Sequence, residues 1–262
     1  MSRLAEAFAQ NANGKAFIPF ITCGDPDFET TEEIVLAMAG AGADIIELGI
    51  PFSDPTAEGP VIQAANLRAL SAGATTSKVF ELVRRLREQT DVPFVFMTYA
   101  NVVYSYGMER FLSQAAEAGV QGLILPDVPF EEKDEFAGPC REAGLELVSM
   151  IAPTSNDRVK AIAAEAEGFV YCVSSLGVTG MRTEIVTDVD SMVALVREAN
   201  PDIPCAIGFG ISTPEQAAKM ATASDGAIVG SAIVNIVAEK GRDAVQPVAD
   251  YVRSMKEAVA AC

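Results

Sequence analysis

Residues 43–60 read Ala43-Asp44-Ile45-Ile46-Glu47-Leu48-Gly49-Ile50-Pro51-Phe52-Ser53-Asp54-Pro55-Thr56-Ala57-Glu58-Gly59-Pro60. The stretch opens as a short apolar run, the pattern of a strand buried on both faces of a parallel sheet. Glu47 interrupts that run, and a carboxylate at the end of a buried strand costs free energy unless something uses it. Three prolines and two further acids follow, so the strand ends in a stiff loop that can hold Glu47 and Glu58 toward one pocket. The competing reading is plainer: Glu47 pairs with a surface lysine and Glu58 is solvated.

The rest of the chain repeats this rhythm of strand, Gly- or Asp-bearing loop, and amphipathic helix. Strands are expected at 16–22, 43–47, 93–98, 122–125, 146–151, 169–173, 204–207 and 226–229. Helices are expected at 30–41, 61–70, 76–90, 108–118, 131–143, 156–166 with Ser155 or Asn156 as cap, 188–199, 214–221 and about 243–259, after a weakly amphipathic one at the N-terminus. Gly119 and Gly144 fall where a left-handed C-cap would end a helix. Eight such units over residues 1–262 predict an α/β fold, a single (β/α)8 TIM barrel domain with an extra N-terminal helix. A doubly wound open sheet is the alternative; eight regular parallel units favour closure.

Composition narrows the chemistry. The 262 residues carry a formal charge of −17, which argues against nucleic acid as a partner. There is no histidine, which removes the Ser-His-Asp triad and most transition-metal sites. Acid–base work must then come from Asp, Glu, Tyr, Lys or Cys. None of the five cysteines forms a CxxC pair, so free thiols are expected, with Cys172 and Cys205 in the core. No apolar run reaches the roughly 18 residues of a membrane span, and the cytoplasm is the default expectation.

In barrels of this kind chemistry sits at the C-terminal ends of the strands, and phosphate is commonly bound after strands seven and eight. Those ends here are Gly208-Phe209-Gly210-Ile211-Ser212 and Val229-Gly230-Ser231. Glycine lets the backbone approach an anion, and a helix N-terminus offers free N–H groups. Neither loop carries Lys or Arg, so binding would rest on backbone amides and the Ser231 hydroxyl. No lysine falls at a strand C-terminus, where a Schiff-base aldolase needs one. The residues thus point to a carboxylate acid–base enzyme acting on a small phosphate ester.

Several motifs carry a closer resemblance. The stretches 17–26, 47–55 and 59–63, Met97-Thr98-Tyr99-Ala100-Asn101, Leu125-Pro126-Asp127-Val128-Pro129, Gly177-Val178-Thr179-Gly180 and Gly208-Phe209-Gly210-Ile211-Ser212 occur in the order found in tryptophan synthase alpha subunits. The chain resembles that family over essentially its whole length. The resemblance implies retro-aldol cleavage of indole-3-glycerol phosphate to indole and glyceraldehyde 3-phosphate. It implies no cofactor in this chain, with pyridoxal phosphate (PLP) in a partner β subunit of an αββα tetramer. It assigns Glu47 as the acid–base carboxylate, Glu58 as the acceptor of the indole N–H, and Tyr171 as a tyrosine beside the reacting side chain. It places Gly180, Gly210, Gly230 and Ser231 on the phosphate, and Phe20, Tyr99, Leu125, Thr179, Phe209 and Ile228 around the indole. One departure stands out: the family's loop reads Pro-Leu-Ala-Asp-Gly-Pro, and residues 55–60 here put Thr56 for Leu and Glu58 for Asp. Either Glu58 does the same work, or the chain cleaves weakly and acts mainly as an allosteric regulator of its β subunit.

Overall fold

A computed structural model describes residues 2–173, 189–208 and 210–262. Its strands are β1 (Ala16–Thr22), β2 (Ile46–Gly49), β3 (Phe94–Met97), β4 (Gly122–Ile124), β5 (Glu146–Leu147), β6 (Ser149–Ile151), β7 (Val170–Val173), β8 (Cys205–Gly208) and β9 (Gly226–Val229). All the pairings are parallel, in the order β5-β4-β3-β2-β1-β9-β8-β7-β6. The two ends of that order are successive pieces of residues 146–151, so the sheet curls round into the expected (β/α)8 barrel. Residues 146–151 were expected as one strand. They divide because they serve two neighbours in turn: Glu146 and Leu147 pair with β4, Val148 N–H donates to Leu123 O at 2.9 Å, and 149–151 pair with β7.

The pleat decides which side chains face the barrel interior. Ile18 and Phe20 of β1, Val95 and Met97 of β3, Ile124, Tyr171, Ala206 and Ile228 pack together inside. Their neighbours Phe17, Ile21, Phe94, Phe96, Leu123, Cys172, Ile207 and Ala227 pack outward against the helices. In β2 the outward residues are Ile46 and Leu48, which leaves Glu47 between them pointing inward. Helix Arg3–Ala9 adds Leu4, Ala7 and Phe8 to the inner cluster, with Phe8 and Phe169 ring centroids 5.7 Å apart. It closes the end of the barrel opposite the site.

The helices end as their sequences suggest at Gly119 and Gly144, both left-handed C-caps. Ser155 is the N-cap of Asn156–Ala164 by backbone position, without a side-chain capping bond. Other elements differ from expectation: β2 runs Ile46–Gly49 where 43–47 is expected, and a helix, Ser231–Lys240, follows β9. Residues 130–143 start as a 3-10 turn, Phe130–Glu132, before the α-helix Asp134–Ala143. Helix Ala100–Tyr106 was not expected; Asp127 accepts the Ala100 N–H at its start, and Gly107, at φ 93°, turns the chain into the next helix. Cys172 and Cys205 lie in the core as free thiols, their sulfurs 3.5 Å apart. Among the described residues no helix is long and apolar enough to cross a membrane.

Candidate active site

Glu47 stands in β2 beside Phe20 of β1 and Val95 of β3, and is 2% exposed. It lines a cavity at the C-terminal end of the barrel together with Phe20, Glu58, Tyr171 and Gly210. Its Oε1 has no hydrogen-bond partner among the described residues. A carboxylate so placed holds its proton tightly: burial, and then the charge of Glu58, push the Glu47 carboxyl up to about 8.

Glu58 reaches the same cavity from the loop between β2 and helix Pro60–Ser71. The loop is fixed at several points. Pro60 starts the helix, Gln63 Nε2 donates to the Glu58 carbonyl at 2.7 Å, and the Ala57 N–H donates to the Tyr99 hydroxyl at 3.1 Å. The Tyr99 ring in turn stacks obliquely on Phe52, centroids 5.2 Å apart. Asn66 Nδ2 donates to Glu58 Oε2 at 3.0 Å. Burial raises the Glu58 carboxyl to about 7, against the hydrogen bonds from Asn66 and Tyr99 that favour its charged form.

Tyr171 of β7 is buried, and burial followed by the charge of Glu47 raises its phenol well above the ordinary value. Its ring lies against Gly208 of the neighbouring strand, where an added Cβ would come within 2.5 Å of the hydroxyl. Phe20 occupies equivalent space over Gly49 and Gly230. Glycine is therefore required at 208 to seat Tyr171. Gly208→Ala is expected to cost about 1–3 kcal/mol of stability through overpacking, read as a lower denaturant midpoint.

Across the cavity stand Gly210, at φ 79°, Gly230 and Ser231, the first residue of helix Ser231–Lys240. The first N–H groups of that helix have no helical carbonyl to bind, which makes its end an anion site. Among the described residues lining the cavity there is no Lys or Arg, and the polar groups on this side are backbone amides and the Ser231 hydroxyl. Among the described residues no group of three His, Cys, Asp or Glu side chains could hold a metal.

Most of the expected site residues meet here: Glu47, Glu58, Tyr171, Gly210, Gly230, Ser231, Phe20 and Ile228 all line one cavity. Thr179, Gly180 and Phe209 lie outside the described residues. Tyr99 stands behind Glu58, holding the loop. Leu125 is buried just past β4 and lines an adjoining cavity of about 500 Å³ that shares Ala57, Pro126 and Met150 with this one. Ile62, Met97, Met150 and Ile211, which were not singled out from the sequence, join Phe20 and Ile228 in the apolar wall. The inward phase of β3 and the buried stripe of helix Pro60–Ser71 could have identified Met97 and Ile62.

Residues 7–261 match the family model described as tryptophan synthase alpha chain. The tryptophan synthase alpha chain of Lacticaseibacillus casei is 48% identical over 259 residues, which are 99% of this chain and 96% of the relative. The crystal structure of tryptophan synthase subunit alpha from Legionella pneumophila is 34% identical, with all of each chain covered and a TM-score of 0.86. A chain in the tryptophan synthase a2b2 complex of the hyperthermophile Pyrococcus furiosus is 37% identical with a TM-score of 0.82, covering 92% of this chain and 98% of that one. The barrel, its carboxylate pair and these likenesses lead to one conclusion: the chain belongs to the tryptophan synthase alpha chain family.

Proposed function

We propose that Glu47 and Glu58 carry out the family's reaction, cleavage of indole-3-glycerol phosphate to indole and glyceraldehyde 3-phosphate, with the whole chain acting as one barrel domain. The observation that carries this reading is the pair of buried carboxylates in one cavity, facing a glycine-edged helix end. Near neutral pH Glu47 holds a proton and Glu58 is poised to lose its own. Protonated Glu47 delivers that proton to C3 of the indole, and positive charge develops on the ring nitrogen. The Glu58 carboxylate accepts the ring N–H and offsets that charge in a site shielded from water. Glu47, now ionised, takes the proton from the side-chain hydroxyl as the C–C bond breaks, which yields the aldehyde, restores the aromatic ring and returns Glu47 to its starting state. Tyr171 lies beside the reacting side chain. Gly180, Gly210, Gly230 and Ser231 hold the phosphate, and Thr179 and Phe209 complete the indole pocket.

The sign of the pH dependence follows. Activity needs Glu58 ionised and Glu47 protonated, so kcat/KM is expected to rise through about 7, fall through about 8 and form a narrow bell. A profile flat from pH 6 to 9 would count against both assignments.

By likeness to the Pyrococcus furiosus complex, the chain works as the α subunit of an αββα assembly. The loop at 51–60 and helix Ala100–Tyr106, with Tyr104 half exposed, form the face offered to the β subunit. Pyridoxal phosphate belongs to that partner, and no step in this chain runs through it. The five free thiols suit the cytoplasm. The regulatory reading is not favoured, because Glu58 is held at the cavity by Asn66 and Tyr99. Indole release measured with and without a β subunit tests the choice. Release that rises sharply with the partner is expected; none under either condition would overturn the enzymatic reading.

A further inference from the structure

Helix Pro60–Ser71 buries Ile62, Ala65, Asn66 and Ala69. Three of these are apolar, and the fourth is an amide, 4% exposed, on the same stripe. Such a group is costly to bury unless its hydrogen bonds are met. Its Nδ2 donates to Glu58 Oε2 at 3.0 Å, two turns of chain from the loop that the carboxylate hangs from. Glu58 itself is 6% exposed. The bond spans the end of the longer side chain that this protein carries where its relatives' loop pattern has Asp. An amide N–H can only donate, and it donates best to an ionised oxygen.

We propose that Asn66 is a positioning residue for the cleavage reaction: its amide fixes the Glu58 carboxylate, ionised, at the place where the indole N–H must be met. The inference rests on the reading of Glu58 as that acceptor. The groups around Glu58 leave few other means of holding it. Glu47 faces it from β2, and the charge of Glu58 helps keep Glu47 protonated. Tyr99, beyond β3, hydrogen-bonds it, with Asp127 behind. Tyr171 of β7 adjoins Glu47. On Asn66's own helix the one basic side chain, Arg68, is bound to Asp25 at 2.8 and 2.7 Å. Among the described residues lining the cavity there is no cation. Among the described residues Asn66 and Tyr99 are thus the donors that stabilise the carboxylate, the Tyr99 hydroxyl donating to it while accepting the Ala57 N–H.

The test uses the full chain with its β subunit and the variants Asn66→Ala, Asn66→Asp and Glu58→Gln, singly and as the Asn66→Ala/Glu58→Gln pair. Asn66→Ala is expected to lower kcat about tenfold with a smaller change in KM. It is also expected to move the acid limb of kcat/KM up by about one pH unit. Asn66→Asp keeps the shape but replaces the donor with a second acid, and should move the limb further. In the Glu58→Gln background Asn66→Ala should cost nothing more, since the group it serves is gone. An undiminished loss in that background, or an acid limb that stays put, would overturn the proposal. A readout independent of turnover separates this from the functional reading: the ¹³C-carboxyl titration of Glu58 in the wild type and in Asn66→Ala. If the wild type cleaves nothing, the functional reading fails, and a titration that still moves up retains Asn66 as the residue that holds Glu58. A titration that does not move removes Asn66 from the site whatever the activity.

Discussion

Glu47→Gln is expected to lower indole release by about a thousandfold or more while the chain stays folded, and to make it more stable at alkaline pH. Gln keeps the shape of the side chain and loses the proton that must reach C3 of the indole. General acid–base groups contribute about 10²–10⁴-fold, and here one residue serves both steps. The stability arm follows from the same burial. The Glu47 carboxyl sits at about 8 in the fold against 4.5 in the open chain. Its contribution to stability is therefore present below 4.5 and is lost progressively as the pH rises through 8. Removing the group removes that loss. The gain in the variant should grow from pH 6 to pH 9, with an upper bound of about 5 kcal/mol. The buried amide of Gln, lacking a partner where Glu47 Oε1 lacks one, offsets part of it. Denaturant unfolding at the two pH values, beside indole release, checks both arms. Turnover close to that of the wild type would remove Glu47 from the chemistry, and a stability gain independent of pH would mean that the carboxyl is not held protonated.

The legible part of this site was the part written in local pattern. The apolar run 16–22 is β1 to the residue, because both faces of a barrel strand are buried and the run has no polar break. Glu47 could be singled out because it breaks such a run, and its inward direction follows from Ile46 and Leu48 on either side. What the sequence hid depended on distant partners. Helix Ala100–Tyr106 has seven residues and takes its first anchor from Asp127, 27 positions away. The break at Val148 exists only because β4 and β7 compete for one stretch. Asn66 was readable in principle, as the polar member of an apolar stripe, but its meaning depended on finding Glu58 at the other end of the bond.

That bond also decides what the Glu-for-Asp departure means. Glu58→Asp restores the side chain usual in the family, and it is nonetheless expected to cost about a hundredfold in kcat here. Gln63 holds the Glu58 carbonyl, Pro60 fixes the start of the helix, and Tyr99 holds the Ala57 N–H, so the backbone at 57–60 has little freedom to advance. Shortening the side chain by one methylene then withdraws the carboxylate by about 1.5 Å, the length of a C–C bond. Asn66 is left as a buried donor without its acceptor, and the indole N–H loses the group placed to receive it. A displacement of about 1 Å in a positioned group is enough for a hundredfold loss. KM should change less than kcat, because the phosphate end at Gly210, Gly230 and Ser231 is untouched. Steady-state kinetics in the presence of the β subunit give the answer. A loss of that size would mean that loop, helix and carboxylate have been set around Glu as a unit, whereas full activity in Glu58→Asp would mean that the loop advances to restore the bond and that the position demands only a carboxylate.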